Sequence, residues 1–473
     1  MTPRLLTPIR SSWPLLLCAW LGLVPATAAL MERPNIVFML SDDQDWNGLS
    51  VAMHPEVAGS RSDFYRTPNL EKFAVQGMRF SAAYAPAPVC SPTRLALQTG
   101  MNPARLGWTK AAPPQSGQRL IEGASRKSIR ADEVTVAELL RSAGYATAHY
   151  GKWHLGGGGP AAHGYDESDG DTGNRDADRF VDPNPVDIFG MGERAVAFME
   201  KSAKAGKPFF IQMSYHALHV PGNANKATRD SYSGQKPGEM HRDVDRAAIT
   251  TDLDTGVGKV LEAIDRLGLT GTTYVIYMAD NGGGGGGGRS RVRPLAAGKG
   301  GVWEGGIRVP LIIRGPGIAP NSWCHQRVVG YDFLPTFCRW AGVKKPLPSG
   351  RDGGDLSPLL VGSTAPVDRP HPELVFHFPH YQGDTPHSAI LSGDYKLLRF
   401  YETGDRLLFD LKQDLGERHN LAATQPEVAD RLERQLDAYL AEVKAAMPRT
   451  NPGFNPEAPT PNRKGGGKRQ RQP

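Results

Sequence analysis

Cysteine is scarce in this sequence, with four residues among 473. One of them, Cys18, lies in an N-terminal segment that has the features of a removable leader. The other three, Cys90, Cys324 and Cys338, form an odd set, so an exported chain keeps at least one unpaired thiol. Cys324 and Cys338 can pair with each other, which would leave Cys90 free for chemistry, and the sequence leaves this pairing open.

The body of the chain also lacks an excess of positive charge. The formal net charge is +6, but residues 1–28 carry two arginines and no acid, and residues 463–471 carry five basic side chains. The remainder therefore has a net charge of −1, and a body that binds nucleic acid is not supported. We expect the basic C-terminal residues to form a solvated, disordered tail.

Long hydrophobic runs are missing after the N-terminus, so no membrane span is expected. Residues 13–24 are apolar but too few for a transmembrane helix. Arg4 and Arg10 precede this run, and the small residues Ala26-Thr27-Ala28 follow it, which is the pattern of a secretory signal with its cleavage site. We therefore predict a signal peptide over residues 1–28 and an exported protein, either periplasmic or secreted.

Apolar runs typical of strands alternate with helical patterns in the first part of the chain. Residues 134–142 and 245–267 have the helical period and end before glycine. This alternation predicts an α/β fold with a mainly parallel sheet. Ligands bind at the carboxyl ends of such strands, so the polar residues that follow each run should face one crevice. The four clearest runs are residues 35–40, 146–150, 209–213 and 273–278.

The pattern changes after about residue 365. Three short strand candidates, at 388–391, 395–398 and 407–410, precede a helix over 426–444. We expect the glycine run 282–288, which precedes this change, to be a mobile loop. We divide the chain into four segments. The segments are the signal peptide 1–28, a catalytic domain 29–365, a smaller α+β subdomain 366–447 and a disordered basic tail 448–473.

The segment Val89-Cys90-Ser91-Pro92-Thr93-Arg94 places a nucleophile next to a site for an anion. Ser91 can cap a helix, Pro92 suits its first turn, and residues 93–99 continue the helix up to Gly100. Cys90 would then lie at a helix N-terminus, where free N–H groups and the helix dipole favour negative charge. Arg94 follows one turn later and can point to the same place.

Two strand ends carry ligands that hard cations prefer. Asp42 and Asp43 follow the first strand, and Asp280 and Asn281 follow the strand over 273–278. Taken singly, such acids are ordinary turn or capping residues. Taken as two strand ends that face one crevice, they predict a single Ca²⁺ or Mg²⁺ ion rather than zinc.

The pattern Cys-x-Pro-x-Arg, continued by Leu-Ala-Leu-Gln-Thr-Gly, resembles the signature of the type I sulfatases, which are arylsulfatase-like members of the alkaline phosphatase superfamily. The resemblance covers nearly the whole mature chain. It implies an alkaline-phosphatase-like α/β sandwich with a mixed, mainly parallel sheet and a small C-terminal subdomain with an antiparallel sheet. It also implies that a maturation enzyme oxidises Cys90 to formylglycine, and that Asp42, Asp43, Asp280, Asn281 and residue 90 itself hold calcium.

The same resemblance assigns roles to other motif residues. Lys152 in Gly-Lys-Trp-His-Leu-Gly and Lys299 in Gly-Lys-Gly-Gly-Val-Trp-Glu-Gly-Gly match family lysines, which supply the fixed positive charge that an anionic sulfate ester needs. His154 matches the histidine that contacts the hydrated aldehyde. His219 matches the family pattern Ala-Pro-His-x-Pro, with Leu218 in place of the first proline, and is expected to protonate the leaving group.

Some assignments remain more open. His216 is an alternative to His219, and Asn174 lies where family members often contact sulfate. His377 and His380, in the segment His-Phe-Pro-His-Tyr-Gln, can belong to a sugar-binding rim or to an ordinary loop.

The implied reaction is covalent catalysis on sulfated polysaccharides or oligosaccharides, with the hydrated aldehyde at position 90 as nucleophile. The residues also allow a phosphodiesterase or phosphonate monoester hydrolase of the same superfamily. A secreted carbohydrate-binding protein without activity is a third interpretation, which the intact set of motif residues argues against.

Overall fold

The computed structural model describes Met1 and residues 33–220, 222–284 and 294–457. The predicted signal peptide after Met1 and most of the predicted basic tail lie outside the described residues. Within the described part of the chain, no helix is long and apolar enough to cross a membrane.

An eight-stranded mixed sheet forms the centre of the molecule, with strand order β10-β2-β9-β8-β1-β7-β5-β6. The pairs of β1 with β7 and β8, and of β5 with β7, are parallel, whereas β9 runs antiparallel to both β8 and β2. The strands are β1 (Asn35–Ser41), β2 (Met78–Phe80), β3 (Ala83–Tyr84), β4 (Leu120–Ile121), β5 (Ala146–Gly151), β6 (Glu167–Ser168), β7 (Phe209–Ser214), β8 (Thr273–Ala279), β9 (Leu311–Arg314), β10 (Ser322–Cys324), β11 (Val328–Val329), β12 (Leu374–Phe378), β13 (His387–Ser392), β14 (Tyr395–Phe400), β15 (Arg406–Asp410) and β16 (Arg449–Thr450).

Helices cover both faces of this sheet. Alternate residues of β1 point to opposite sides, so Phe38 packs into one hydrophobic cluster and Val37 into the other. The first cluster includes side chains of α2, α4 and α9, and the second includes side chains of α1, α5 and α7. The helices are α1 (Pro68–Val75), α2 (Cys90–Thr99), α3 (Pro103–Leu106), α4 (Val136–Ser142), α5 (Ile188–Lys204), α6 (Lys226–Asp230), α7 (Val244–Arg266), α8 (Glu304–Ile307), α9 (Phe333–Ala341), α10 (Ser357–Leu360) and α11 (Pro426–Glu442).

The C-terminal unit consists of the antiparallel sheet β12-β13-β14-β15 with α11 packed on one face. Val375, Ile390 and Leu397 of this sheet contact the apolar stripe of α11, which includes Leu432 and Leu436. The mixed central sheet and this antiparallel sheet confirm the predicted α/β class with a smaller α+β unit.

Two predictions about irregular segments need correction. Arg449 and Thr450, placed in the disordered tail, form β16 and pair with β4, because this backbone can complete the hydrogen bonds of that short strand. Gly282 and Gly283, the first residues of the glycine run predicted to be a mobile loop, are hydrogen-bonded to Gly306 and Lys299, whereas residues 285–288 of that run lie outside the described residues. A Cβ at Gly282 would lie 1.9 Å from the Gly305 carbonyl oxygen, so glycine permits this close backbone approach.

Cys324 and Cys338 are both buried and both free in the structure. Cys324 ends strand β10, and Cys338 lies on helix α9. Burial raises the pKa of Cys324 to about 11 and that of Cys338 to about 12, so both thiols stay protonated near neutral pH. The disulfide between Cys324 and Cys338, which the sequence left open, is not formed in the structure.

Candidate functional site

The carboxyl ends of β1, β5 and β8 meet the start of α2, and the polar residues that follow these strands form one cluster. Asp42 and Asp43 follow β1, Lys152 follows β5, and Asp280 follows β8. The Asp43 amide donates to Asp280 Oδ1 at 3.2 Å, which joins two of the strand ends directly. The sequence predicts that these residues share one crevice, and the structure brings them together.

Cys90 is the first residue of α2 and is 2% exposed. Its Sγ lies 3.4 Å from Lys299 Nζ and 3.6 Å from Asp42 Oδ1. Val89 is the residue before the helix, so Ser91 lies inside the first turn and is not the cap, because the helix begins two residues earlier than predicted. The helix ends where the sequence predicts, with Gly100 in the left-handed conformation at φ 69°.

The environment of Cys90 keeps its thiol protonated. Burial, and then the negative charge of Asp42, raise the pKa of Cys90 to about 12 despite the nearby lysines. The thiolate is the nucleophilic form of cysteine, so an unmodified Cys90 is a poor nucleophile near neutral pH.

Three cations and three carboxylates lie together around this residue. Arg94 Nε and Nη2 donate to Asp280 Oδ2 at 3.0 and 2.8 Å. Lys152 pairs with Asp42, and Lys299 Nζ lies 2.6 Å from Asp43 Oδ1. Such charges are stable in the interior only when they are paired.

The carboxylates respond differently to this environment. Burial alone would raise the pKa of Asp42, but the positive charges of Lys152 and Arg94 hold it well below its usual value. Burial and the negative charge of Asp42 raise the pKa of Asp280 to about 6. Crowded carboxylates of this kind are stabilised by an additional cation.

The donor set fits a hard divalent cation. Oxygen atoms of Asp42 and Asp43 and the sulfur of Cys90 lie within 4.8 Å of one another. Asn281 Nδ2 donates to Asp43 Oδ1 at 2.8 Å, while its own Oδ1 is buried and has no hydrogen-bond partner among the described residues. An unpartnered buried oxygen beside carboxylates is a natural ligand for Ca²⁺ or Mg²⁺.

Three histidines lie close to this cluster. His154 Nδ1 is buried and has no hydrogen-bond partner in the described part of the chain, and burial together with the charge of Lys152 lowers the pKa of His154 to about 3. The same two causes lower the pKa of His216 to about 3, and within the described residues its Nδ1 also has no partner. Both rings are therefore neutral near pH 7.

His219 is less enclosed than the other two histidines. Its Nδ1 donates to the Val220 carbonyl oxygen at 2.8 Å, which leaves Nε2 as the ring atom available to a ligand. Burial lowers the pKa of His219, although the negative charge of Asp42 opposes this. Backbone hydrogen bonds from Leu218 to the Asp42 carbonyl oxygen and from Asp42 to the Ala217 carbonyl oxygen hold its loop against β1.

Arg246 on α7 is a contributor that the sequence did not reveal. Its Nη1 donates to the Leu218 carbonyl oxygen at 2.5 Å, and its Nη2 donates to the Asp43 carbonyl oxygen. It therefore joins the histidine loop to the end of β1. Its only signal in the sequence is an arginine in the first turn of a helix, which is too common to identify it.

The predicted substrate-binding residues differ in their placement. Asn174 is exposed and follows Gly173, at which a Cβ would lie 3.9 Å from His154 Cδ2, so it borders the cluster. His377 contacts Ser388 Oγ at 2.7 Å and the Ala446 carbonyl oxygen at 3.1 Å. His380 contacts Thr109 Oγ1 at 2.7 Å and Glu122 Oε2 at 2.9 Å.

The assignment of His377 and His380 to a sugar-binding rim therefore needs correction. Both side chains are buried, and in each the two ring nitrogens are already hydrogen-bonded within the protein. No ring nitrogen of either histidine is left for a ligand, because His377 uses both within the C-terminal unit and His380 uses both to contact the catalytic domain.

Two family models match the chain. The model described as Sulfatase matches residues 34–343, and the one described as N-sulphoglucosamine sulphohydrolase, C-terminal, matches residues 298–446. The two matches overlap across the segment that contains Lys299, and together they span both units of the fold.

Curated relatives extend over most of the chain. Arylsulfatase A of Bos taurus is 31% identical over 93% of this chain and 93% of its own length. N-acetylgalactosamine-6-sulfatase of Rattus norvegicus is 30% identical, over 94% of this chain and 90% of its own. The ulvan-active sulfatase of Formosa agariphila is 28% identical, over 88% and 82%.

Solved structures show the same fold. The crystal structure of Ps i-CgsB superimposes with a TM-score of 0.71 at 24% identity, over 86% of this chain and 93% of that one. The PsFucS1 sulfatase from Pseudoalteromonas sp. superimposes with a TM-score of 0.67 at 21% identity, over 88% and 91%. These matches confirm the alkaline-phosphatase-like arrangement of the sheet and helices.

We expect Asp280→Ala to lose a bound divalent cation that the wild-type protein retains. The substitution removes a carboxylate from the donor set and leaves Arg94 without its main partner. Elemental analysis of the dialysed proteins measures the ion directly.

Asp254→Ala is the matched control for this measurement. Asp254 is also fully buried, and burial likewise raises its pKa to about 6, but it accepts hydrogen bonds from Asn69 and Leu70, away from the cluster. This variant should keep the ion even if it is less stable. A stoichiometric ion in Asp280→Ala would contradict the assignment.

Proposed function

Because the chain belongs to the sulfatase family of sulfuric ester hydrolases, we propose that it removes sulfate from sulfated carbohydrates outside the cytoplasm. One observation carries this proposal, which is the position of Cys90 at the start of α2. Its Sγ lies 3.4 Å from Lys299 Nζ and beside Asp42, Arg94 and Lys152. Residue 90, the nucleophile position of the family signature, is thus enclosed by cations and carboxylates.

The proposal includes conversion of Cys90 to formylglycine by a maturation enzyme. The protonated thiol is a poor nucleophile in this environment, which supports a modified residue at this position. When Cys90 is converted, the hydrated aldehyde supplies two hydroxyl groups, one for attack on sulfur and one for release of sulfate.

A calcium ion, with magnesium as the alternative, would be held by Asp42, Asp43, Asp280, Asn281 and residue 90. It would supply positive charge next to the nucleophile. The three cations of the cluster already balance its three carboxylates, so a divalent ion adds a surplus of positive charge. That surplus suits an anionic ester.

The chain's own residues then have distinct tasks. Lys152 and Lys299 would stabilise charge on the nonbridging sulfate oxygens, and Arg94 would hold residue 90 and Asp280 in place. His219 would protonate the leaving oxygen through Nε2, since its Nδ1 is bound to Val220. His154, whose buried Nδ1 has no hydrogen-bond partner among the described residues, would accept a proton from residue 90 during release of sulfate.

The substrate class rests on the relatives. Those reported above include an N-acetylgalactosamine-6-sulfatase and an ulvan-active sulfatase, names that refer to sulfated carbohydrates. We propose sulfated polysaccharides or their oligosaccharides as substrates, with Asn174 as a contact at the border of the site. Export through the N-terminal signal would place the enzyme with such substrates.

The first test concerns residue 90. In protein produced together with a maturation system, peptide mass spectrometry should find formylglycine at position 90. Cys90→Ala should abolish hydrolysis of nitrophenyl sulfate and leave the thermal midpoint almost unchanged, because the substitution removes only a small buried group. Fully active protein that carries only a thiol at position 90 would contradict the mechanism.

The second test concerns the acid. His219→Ala should slow hydrolysis of a sulfated sugar by about 10²–10⁴-fold, because a sugar alcohol leaves poorly without a proton. Nitrophenyl sulfate should be affected far less, since nitrophenolate leaves without protonation. Turnover of both substrates is measured for wild type, His219→Ala and His216→Ala.

Each outcome of this comparison has a clear meaning. Equal losses on both substrates in His219→Ala would assign His219 to sulfate binding or structure, and a selective loss in His216→Ala would assign the acid role to His216. Faster turnover of a matched phosphate diester than of the sulfate ester by the wild-type protein would favour the phosphodiesterase alternative.

A further inference from the structure

Three successive residues after the Lys299 segment are held by side chains from the C-terminal unit. The Val302 amide donates to His387 Nε2 at 2.9 Å. Trp303 Nε1 donates to Asp384 Oδ2 at 3.2 Å, and the Glu304 amide donates to Glu417 Oε2 at 2.8 Å. The C-terminal unit therefore supplies three acceptors to one short stretch of the catalytic domain.

The segment needs such support because of its glycines. Only Gly300 and Gly301 separate Lys299 from Val302, and glycine restricts the backbone least of all residues. On the upstream side, the Lys299 amide donates to the Gly283 carbonyl oxygen at 3.0 Å. On the downstream side, the Gly300 amide donates to the Pro88 carbonyl oxygen at 2.9 Å, and the next hydrogen bond is the one that His387 accepts from Val302.

His387 is arranged to accept this bond. Its Nδ1 donates to the Thr385 carbonyl oxygen at 2.6 Å, so the neutral ring has its lone pair on Nε2. The ring is fully buried and stacks on Phe400 at 5.1 Å with an angle of 14° between the planes. Tautomer and orientation are thus both set by the C-terminal sheet.

The Glu304 end of the stretch is held by buried charges. Lys396 Nζ lies 2.9 Å from Glu304 Oε1 and 2.8 Å from Glu417 Oε1, and Arg308 Nε lies 2.7 Å from Glu304 Oε2. All of these side chains are buried, so the ion pairs are shielded from solvent. Of the three acceptors that the C-terminal unit supplies, His387 binds the residue that is nearest to Lys299 in the sequence.

We propose that His387 is a positioning residue, which fixes the ammonium group of Lys299 beside residue 90 by holding the Val302 amide. This role rests on the proposed function, in which Lys299 binds the sulfate group. It assigns to the C-terminal unit a part in sulfate binding that involves no direct contact with substrate.

Two substitutions separate this role from general packing. In His387→Gln the amide oxygen can reach the place of Nε2 and accept from Val302, because the glutamine side chain matches the far nitrogen of the ring. In His387→Asn the shorter amide reaches only the place of Nδ1, so the bond to Thr385 can persist while the Val302 amide loses its acceptor. Both variants lose the aromatic stacking, so that loss cancels in the comparison.

His377→Asn provides the matched control. His377 is another buried histidine with both ring nitrogens occupied, on the neighbouring strand β12, but its partners are Ser388 and Ala446 rather than the Lys299 segment. Its substitution should lower the thermal midpoint without affecting sulfate binding.

The measurements are the dissociation constant of inorganic sulfate by calorimetry, kcat and KM for nitrophenyl sulfate, and the thermal midpoint, all on matured protein. We expect His387→Asn to weaken sulfate binding about tenfold, the upper end of what one hydrogen bond contributes. Its kcat/KM should fall by up to about 10²-fold, as for a displaced catalytic group. His387→Gln should stay within about threefold of wild type if the acceptor is restored.

The outcomes separate a failure of the proposed function from a failure of the positioning role of His387. A wild-type protein that hydrolyses no sulfate ester would overturn the proposed function and the positioning role together. An active wild type whose sulfate affinity is unchanged in His387→Asn, or equally reduced in the Gln, Asn and His377→Asn variants, would overturn the positioning role alone. If His387→Asn does not fold, Asp384→Ala removes the neighbouring acceptor at a partly exposed position, and unchanged sulfate affinity there would count against the role.

Discussion

Asp42 has no exposure to solvent, and the ion pairs that balance its charge connect the strands of the active site. Lys152 pairs with it from the end of β5, and Arg94 reaches both Asp42 and Asp280 from α2. Removing one partner of a buried pair leaves an uncompensated charge, which typically costs about 3–5 kcal/mol. The convergence of β1, β5, β8 and α2 therefore depends on this set of charges as much as on the surrounding core.

Much of this arrangement follows from local sequence pattern. After their first residues, Asn35 and Thr273, the runs 35–40 and 273–278 are apolar because helices cover both faces of these strands. The sequence therefore predicts central strands at the right places. The rule that ligands lie at the carboxyl ends of parallel strands then places Asp42, Asp43, Asp280 and Asn281 together. The resemblance to sulfatases is confirmed by the family model over residues 34–343, and with it the class of sulfuric ester hydrolases.

The remaining features depend on contacts between residues far apart in the chain, which have no local period. Arg246 joins two carbonyl groups from different loops, and nothing in its own helix distinguishes it from a surface arginine. His377 and His380 lie in a segment that resembles a binding loop, yet tertiary packing uses all four ring nitrogens. Ser91 has the composition of a cap, but the helix begins at Cys90, a boundary that depends on how the preceding loop packs.

The burial of Cys90 has a consequence for the order of events in the life of the protein. Once α2 has packed against the sheet, its Sγ is enclosed by Asp42, Lys299 and the surrounding core, and another protein cannot reach it. Under the proposed mechanism, the maturation enzyme would therefore have to meet the segment around Cys90 before the chain folds. Maturation and folding would then compete in time, and a chain that folded first would keep an unmodified, unreactive thiol.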